Sequence, residues 1–239
     1  MKNSFKKRVL GPAYYFHSDH YFRHNARRLE HLASLRIPVT GRTVLEVGAG
    51  IGDHSHYYTD RSCKVTMTEA RPENLRWLKK RYPDHDVQLL DLEMPSPVPK
   101  SPFEHVHCYG TLYHLSNPLS ALQFLGQSCS GMMFLETCVS FGSSSEINLV
   151  NERQSDPTQA FSGKGCRPTR RWIFETLQQL FTHVYIPKTQ PNHEEFPLDW
   201  ANPAKHHSIL SRAVFIASRQ PIQNDLLVPE LIDVQVRHE

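Results

Sequence analysis

The stretch Thr43-Val44-Leu45-Glu46-Val47-Gly48-Ala49-Gly50-Ile51-Gly52-Asp53-His54 decides the fold. An apolar run holding one acid leads into three glycines at alternate positions. The run predicts a short buried strand. The glycines let the chain turn sharply and bring its backbone against a ligand with no Cβ in the way. The spacing is E-x-G-x-G-x-G, distinct from the G-x-G-x-x-G of dinucleotide-binding turns.

Three further runs follow the same plan. Cys63 to Thr68 ends in Glu69, and a helix is predicted over Pro72–Tyr82, with Pro72 in its first turn and Leu75, Leu78 and Tyr82 on one face. Glu69 therefore stands at the carboxyl end of a second strand, about twenty residues past the glycine turn, where an acid can accept ribose hydroxyls. Val87 to Leu90 ends in Asp91 ahead of a proline-rich loop. Val106 to Leu115 precedes Ser116-Asn117-Pro118, a polar cap with proline at the first helical position. An amphipathic helix to Gln127 and a strand over Met132–Val139 come next. Three acids, Glu46, Glu69 and Asp91, thus sit at the ends of successive strands, a pattern that chance explains poorly.

This series resembles class I S-adenosylmethionine-dependent methyltransferases. The resemblance implies an α/β, Rossmann-like, doubly wound fold, with a seven-stranded, mostly parallel sheet, helices on both faces and an antiparallel last strand. It implies S-adenosyl-L-methionine as cofactor, with the glycines beneath its methionine and ribose parts. Glu69 would grip both ribose hydroxyls, and Asp91 would accept from the adenine amino group, with Leu92 and Met94 flanking the ring. The cofactor-binding set is then Glu46, Gly48, Ala49, Gly50, Gly52, His54, Glu69, Ala70, Asp91, Leu92, Tyr109 and Gly110. Tyr109-Gly110-x-Leu112-Tyr113-His114, then Pro118-Leu119 and Leu135-Glu136-Thr137, look like the wobble-uridine carboxymethyltransferases of transfer RNA and their small methyltransferase relatives. The cofactor-binding part of the resemblance covers residues 40–140. Arg167 to Trp172 and Glu194 to Trp200 fit more loosely. That transfer RNA family carries an extra N-terminal region and a carboxylated donor that needs basic partners. This chain is short for such a region, so plain methyl transfer is expected.

A chain of 239 residues suits one domain, 1–239. Its expected parts are an N-terminal lid or helix (1–38), the core (40–140), two substrate-side insertions (140–167 and 188–207) and a tail (219–239). Tyr21 to Leu35 has apolar residues near helical spacing. Tyr14-Tyr15-Phe16 either walls the substrate pocket or pins the N-terminal segment. Thr169 caps a predicted helix through Leu180, and His183–Pro187 and Ser208–Ala217 read as the last strands. The tail's Leu226, Leu227, Val228 and Leu231 dock on the core or on a second subunit.

Net charge is +3, which makes no strong case for nucleic acid as a partner. Lys6-Lys7-Arg8, Arg27-Arg28 and Arg167 to Arg171 are the basic clusters. No run approaches the roughly twenty apolar residues that span a bilayer, and no secretion signal opens the chain. Five dispersed cysteines fit a reducing, cytoplasmic setting. Fifteen histidines raise the question of metal, yet His17-x-Asp19-His20, His54-x-His56, His105-x-His107 and His206-His207 match no known ligand pattern, and no metal is expected.

The expected function is methyl transfer to an oxygen or nitrogen of a small-molecule acceptor. His114, where the fourth strand opens into the cleft, is the candidate base. Tyr113 would position the substrate. Glu136 would either face the acceptor or bond a neighbouring loop. Arg167 and Arg171 would read an anionic acceptor or decorate a helix start. The other readings are modification of transfer RNA, a cofactor-binding scaffold without turnover, and, more weakly, a nicotinamide dehydrogenase.

Overall fold

A central sheet carries the molecule in the computed structural model, which describes residues 9–239. The basic cluster at Lys6-Lys7-Arg8 and the start of the N-terminal segment lie outside the described residues. The chain runs through α1 (Ala13–Phe16), α2 (Asp19–Ser34), β1 (Thr43–Glu46), α3 (His56–Thr59), β2 (Lys64–Glu69), α4 (Pro72–Arg81), β3 (Asp86–Leu89) and β4 (Phe103–Tyr109). A 3₁₀ turn (Leu112–His114) leads into α5 (Pro118–Gln127), β5 (Cys129–Val139), β6 (Leu149–Asn151), β7 (Lys164–Cys166), α6 (Arg170–Leu180), β8 (His183–Pro187), β9 (Thr189–Gln190), β10 (Ser211–Ser218), β11 (Leu227–Val228) and β12 (Val236–Arg237).

The sheet order is β11-β8-β10-β5-β4-β1-β2-β3. β1 pairs in parallel with β2 on one side and β4 on the other. The order reverses there, and the diverging connections leave a crevice at the strands' carboxyl ends. β10 runs antiparallel between β5 and β8, as the resemblance implied. The sheet has eight strands rather than seven. The eighth, β11, comes from the tail: Leu227 is buried and pairs with Pro187, so the apolar patch docks on the core.

Successive residues of the central strands feed two cores, because strand side chains alternate between faces. Leu45, Leu135 and Phe215 face one core with Leu122, Leu125, Ile173 and Leu177 from α5 and α6. Val44, Phe134, Val214 and Ile216 face the other with Leu32, Tyr58 and Leu78. Helix starts follow their sequence signals. Thr169 accepts from the Trp172 amide at 3.3 Å, Asn117 accepts from the Ser120 amide at 3.2 Å, and Pro72 and Pro118 open their helices.

The two insertions are anchored rather than loose. In 140–167, β6 and β7 form a hairpin. Arg71 donates to the carbonyls of Gln159 and Ala160, and Asn74 donates to that of Pro157 at 3.0 Å, which fixes residues 157–160 beside α4. In 188–207, Trp200 donates to Gln235 at 2.7 Å, tying insertion to tail.

Gly52 has a structural task. Its φ is +86°, and a Cβ there would meet the Tyr82 ring and Leu78 Cδ1. It lets the glycine loop close against α4. Gly52→Ala should therefore lower unfolding free energy by about 2 kcal/mol or more, read from urea denaturation. A loss below about 0.5 kcal/mol would contradict this packing role.

Candidate functional site

The crevice beside β1 holds one bent cleft with two arms. Phe16, Gly48, Gly110, His114 and Thr158 line both. The turn after β1 makes the shared floor. Gly48 and Gly110 have φ of +62° and +77°, which only glycine adopts without strain. A Cβ on Gly48 would strike the Thr111 side chain, and one on Gly110 would come within 2.7 Å of the Arg28 guanidinium.

The first arm runs along the ends of β2 and β3. It is lined by Glu69, Ala70, Leu90, Asp91 and Leu92, and by Pro157 to Ser162 of the first insertion. Both Glu69 carboxylate oxygens accept backbone amides: Oε2 from Gly50 and Oε1 from Arg71, each at 2.8 Å. Each oxygen keeps a second lone pair. Burial raises the Glu69 carboxyl to about 7, against the lowering effect of those amides. Asp91 accepts the Glu93 amide at 2.9 Å through one oxygen. Leu90 and Leu92 supply apolar walls. Met94, expected beside Leu92, is instead 81% exposed and lines nothing here, because the chain turns outward after Asp91.

The second arm is lined by Glu46, Ala49, His54, Tyr109 and Tyr113, with Tyr21, His24, Asn25 and Arg28 from α2 and Arg212 from β10. Glu46 accepts the Ser55 hydroxyl at 2.6 Å, and burial lifts its carboxyl to about 7. His54 spends both ring nitrogens inside the protein, on Asn25 at 3.1 Å and His107 at 3.3 Å, and burial holds it neutral. The Tyr109 hydroxyl is buried with no hydrogen-bond partner among the described residues. A buried orphan donor facing a cleft suits a ligand's polar group.

The residues fit an adenosyl sulfonium compound. A glycine floor leaves room for close approach. A carboxylate stands at the end of β2 and an acid between leucines at the end of β3. An orphan hydroxyl faces the second arm. Gly52 is the exception: it lines neither arm, being packed beneath Tyr82.

His114 sits where the arms meet. Its Nδ1 lies 2.5 Å from Glu152 Oε2, and Arg167 bonds the other Glu152 oxygen at 3.2 Å. Burial holds the His114 imidazole below its ordinary value of 6.5, although Glu152 pulls the other way. Burial raises the Glu152 carboxyl, but the His114 hydrogen bond and charge, the Ala160 amide and Arg167 together bring it below its ordinary value. Tyr113 is buried beside His114, with ring centroids 3.9 Å apart, and its hydroxyl accepts from Arg212 at 3.3 Å.

Glu136 does not face the acceptor. It is fully buried, lines neither arm, and pairs with Arg28 at 3.2 Å and Arg212 at 3.1 Å. Strand β5 lies one strand deeper than the cleft mouth, so its carboxylate anchors the two arginines that do reach the cleft. Arg167 and Arg171 line no arm either: Arg167 holds Glu152, and Arg171 extends toward Glu175 at 3.8 Å on its own helix.

Sequence reasoning gave no site role to Arg28, Glu152 or Arg212; the 157–162 segment falls in the insertion expected on the substrate side and lines the first arm. One signal was present. His24, Arg28 and Leu32 recur every four residues, so two polar side chains share the buried stripe of α2. Glu152 and Arg212 carry no such signal, because they reach the site through contacts distant in sequence.

Comparison with known proteins agrees with this geometry. A family model described as "Methyltransferase domain" matches residues 17–212. The tRNA U34 carboxymethyltransferase of Shewanella loihica is 29% identical over 143 residues, 57% of this chain and 43% of that protein. The Haemophilus influenzae (strain PittGG) protein of that name is 32% identical over 133 residues, 52% and 39% of the two chains. The chain thus spans under half the length of these relatives. Among solved structures, the N-terminal domain of EvdMO1 with SAH bound has TM-score 0.63 at 19% identity, with 85% of each chain covered. An S-adenosylmethionine-dependent methyltransferase from Mesorhizobium loti has TM-score 0.58 at 15% identity, covering 82% of this chain and all of the other. At such identities the structures speak for the fold alone. The family match spans most of the chain and contains the glycine turn, Glu69, Asp91 and the Tyr113-His114 pair; this protein belongs to the methyltransferase family.

Proposed function

We propose that the enzyme methylates an oxygen or nitrogen of a small polar molecule held in the second arm, with His114 as general base. The His114–Glu152 contact carries this reading. An imidazole bonded to a carboxylate through Nδ1 presents Nε2 as the proton acceptor, and the carboxylate steadies the cation that forms. When bound, S-adenosylmethionine supplies a methyl group that its sulfonium already makes electrophilic. The protein's part is alignment and proton removal. Glu69, Asp91 and the glycine floor hold the nucleoside side in the first arm. Tyr113 and Arg212 shape the acceptor side, and His114 takes the acceptor's proton at the junction.

The charges favour a neutral, compact acceptor. Arg28 and Arg212 are matched by Glu136 and Glu195, so the second arm offers no spare positive charge. Within the basic clusters, Arg28 and Arg167 are committed to buried carboxylates and Arg27 pairs with Glu30. A second reading, carboxymethyl transfer to transfer RNA, rests on Arg28, Arg212 and Tyr113 lining the second arm: a carboxylated donor would have to compete with Glu136 and Glu195 for the two guanidiniums. Under that reading, transfer RNA binding would weaken steeply with added salt.

Four outcomes test this. His114→Ala should lower turnover by about 10²- to 10⁴-fold while leaving affinity for S-adenosylhomocysteine within threefold. Full turnover in that variant would remove the base. The rate should stay flat from neutral pH down past 6.5 and fall only below it, because the neutral ring is the active form and burial keeps it neutral. Glu152→Gln removes the influence that raises His114, so its acid limb should move to lower pH; a move to higher pH would contradict the pairing. Finally, label from methyl-labelled S-adenosylmethionine should enter a small-metabolite fraction. Transfer into tRNA alone would favour the second reading.

A further inference from the structure

The glycine turn and the His114 junction leave a second group of chemistry-bearing side chains unexplained. They gather where the 188–207 insertion packs on α2. His20 and His24 stand four residues apart, on one face of the helix. Glu195 of the insertion lies against both: its Oε1 is 3.5 Å from His20 Nε2 and its Oε2 is 3.6 Å from His24 Nε2. Both separations exceed a good hydrogen bond. Two ligands held at about 2.1 Å by one tetrahedral ion sit about 3.4 Å apart, which matches them.

Other observations point the same way. His24 is only 2% exposed in its side chain, and its Nε2 has no hydrogen-bond partner among the described residues although it faces the Glu195 carboxylate. Leaving such an atom unpaired is costly unless something binds it. Arg212 Nε donates to Glu195 Oε2 at 2.6 Å and fixes the carboxylate, through the same oxygen that faces His24. His193 extends the cluster, its ring centroid 4.8 Å from that of His24, and with His20 and Glu194 it makes an overlapping group of the same reach.

We infer that His20, His24 and Glu195 form a binding site for a first-row divalent transition ion such as zinc. Two imidazoles and a carboxylate are the donors such ions select. Magnesium and calcium favour all-oxygen shells. Three protein ligands leave a coordination position open, and the half-exposed His20 side chain gives the ion a route in from solvent. The sequence hid this site because its third ligand lies 171 residues beyond the helix pair. The site borders the second arm through His24, and its metal affinity can be read without any methyl acceptor and without His114.

The test uses the full-length protein stripped with chelator, titrated with Co²⁺ as a spectroscopic stand-in and with Zn²⁺ by calorimetry. One ion per chain should bind with micromolar or tighter Kd, with visible d–d bands that zinc displaces. His20→Ala, on a half-exposed side chain the fold tolerates, should weaken binding about 100-fold, while His207→Ala, outside the cluster, should leave it unchanged. Circular dichroism confirms that each variant is folded. Absence of saturable binding, or equal affinity in wild type and His20→Ala, overturns the site. Loss of binding in His207→Ala alone would do so too, by assigning the ion to surface histidines.

Discussion

The carboxylate of Glu69 ties the cofactor cleft together. It ends β2 and accepts the Gly50 and Arg71 amides, joining the glycine turn to the start of α4. Two peptide groups that would otherwise stand unpaired near a cleft are satisfied by one side chain. The turn it holds has positive φ at Gly48, Gly50 and Gly52. Burial makes this carboxylate reluctant to ionise, and donor hydrogen bonds favour its charged form. A ligand that brings further hydroxyl donors therefore completes an arrangement the chain has left incomplete.

Behind the second arm lies a buried chain of alternating charge: Arg28, Glu136, Arg212 and Glu195. Burying one such charge alone would cost several kcal/mol, and removing one partner strands the other. The chain draws on α2, β5, β10 and the second insertion, so it fixes four distant segments around one end of the cleft. Its near-neutral balance shapes the arm without making it a strong anion trap. His114 belongs to a separate pair with Glu152, and burial keeps its ring neutral against the pull of that carboxylate.

Much of the fold was legible because its strands are apolar runs bounded by glycine and proline. Strand His183–Pro187 agrees with the sequence reading to the residue, and helices Pro118–Gln127 and Arg170–Leu180 end about where it placed them. Helix α2 begins two residues earlier than its apolar stripe, at Asp19, because Ser18 caps it. The short strands β6, β7, β9, β11 and β12 went unseen, since two or three residues show no period. At the site, residues carried by the glycine turn and strand ends were found, for their chemistry follows from position on the sheet. Glu136 was misread because sequence marks it as a strand-end acid and cannot show that Arg28, 108 residues earlier, closes over it.

The most direct test is calorimetric titration of the protein with S-adenosylhomocysteine, beside a Glu69→Gln variant. One site per chain should appear, and the variant should bind at least tenfold more weakly, the loss expected when a charged acceptor of ligand hydrogen bonds is neutralised. No binding heat in the wild type, or equal affinity in both proteins, would contradict the account.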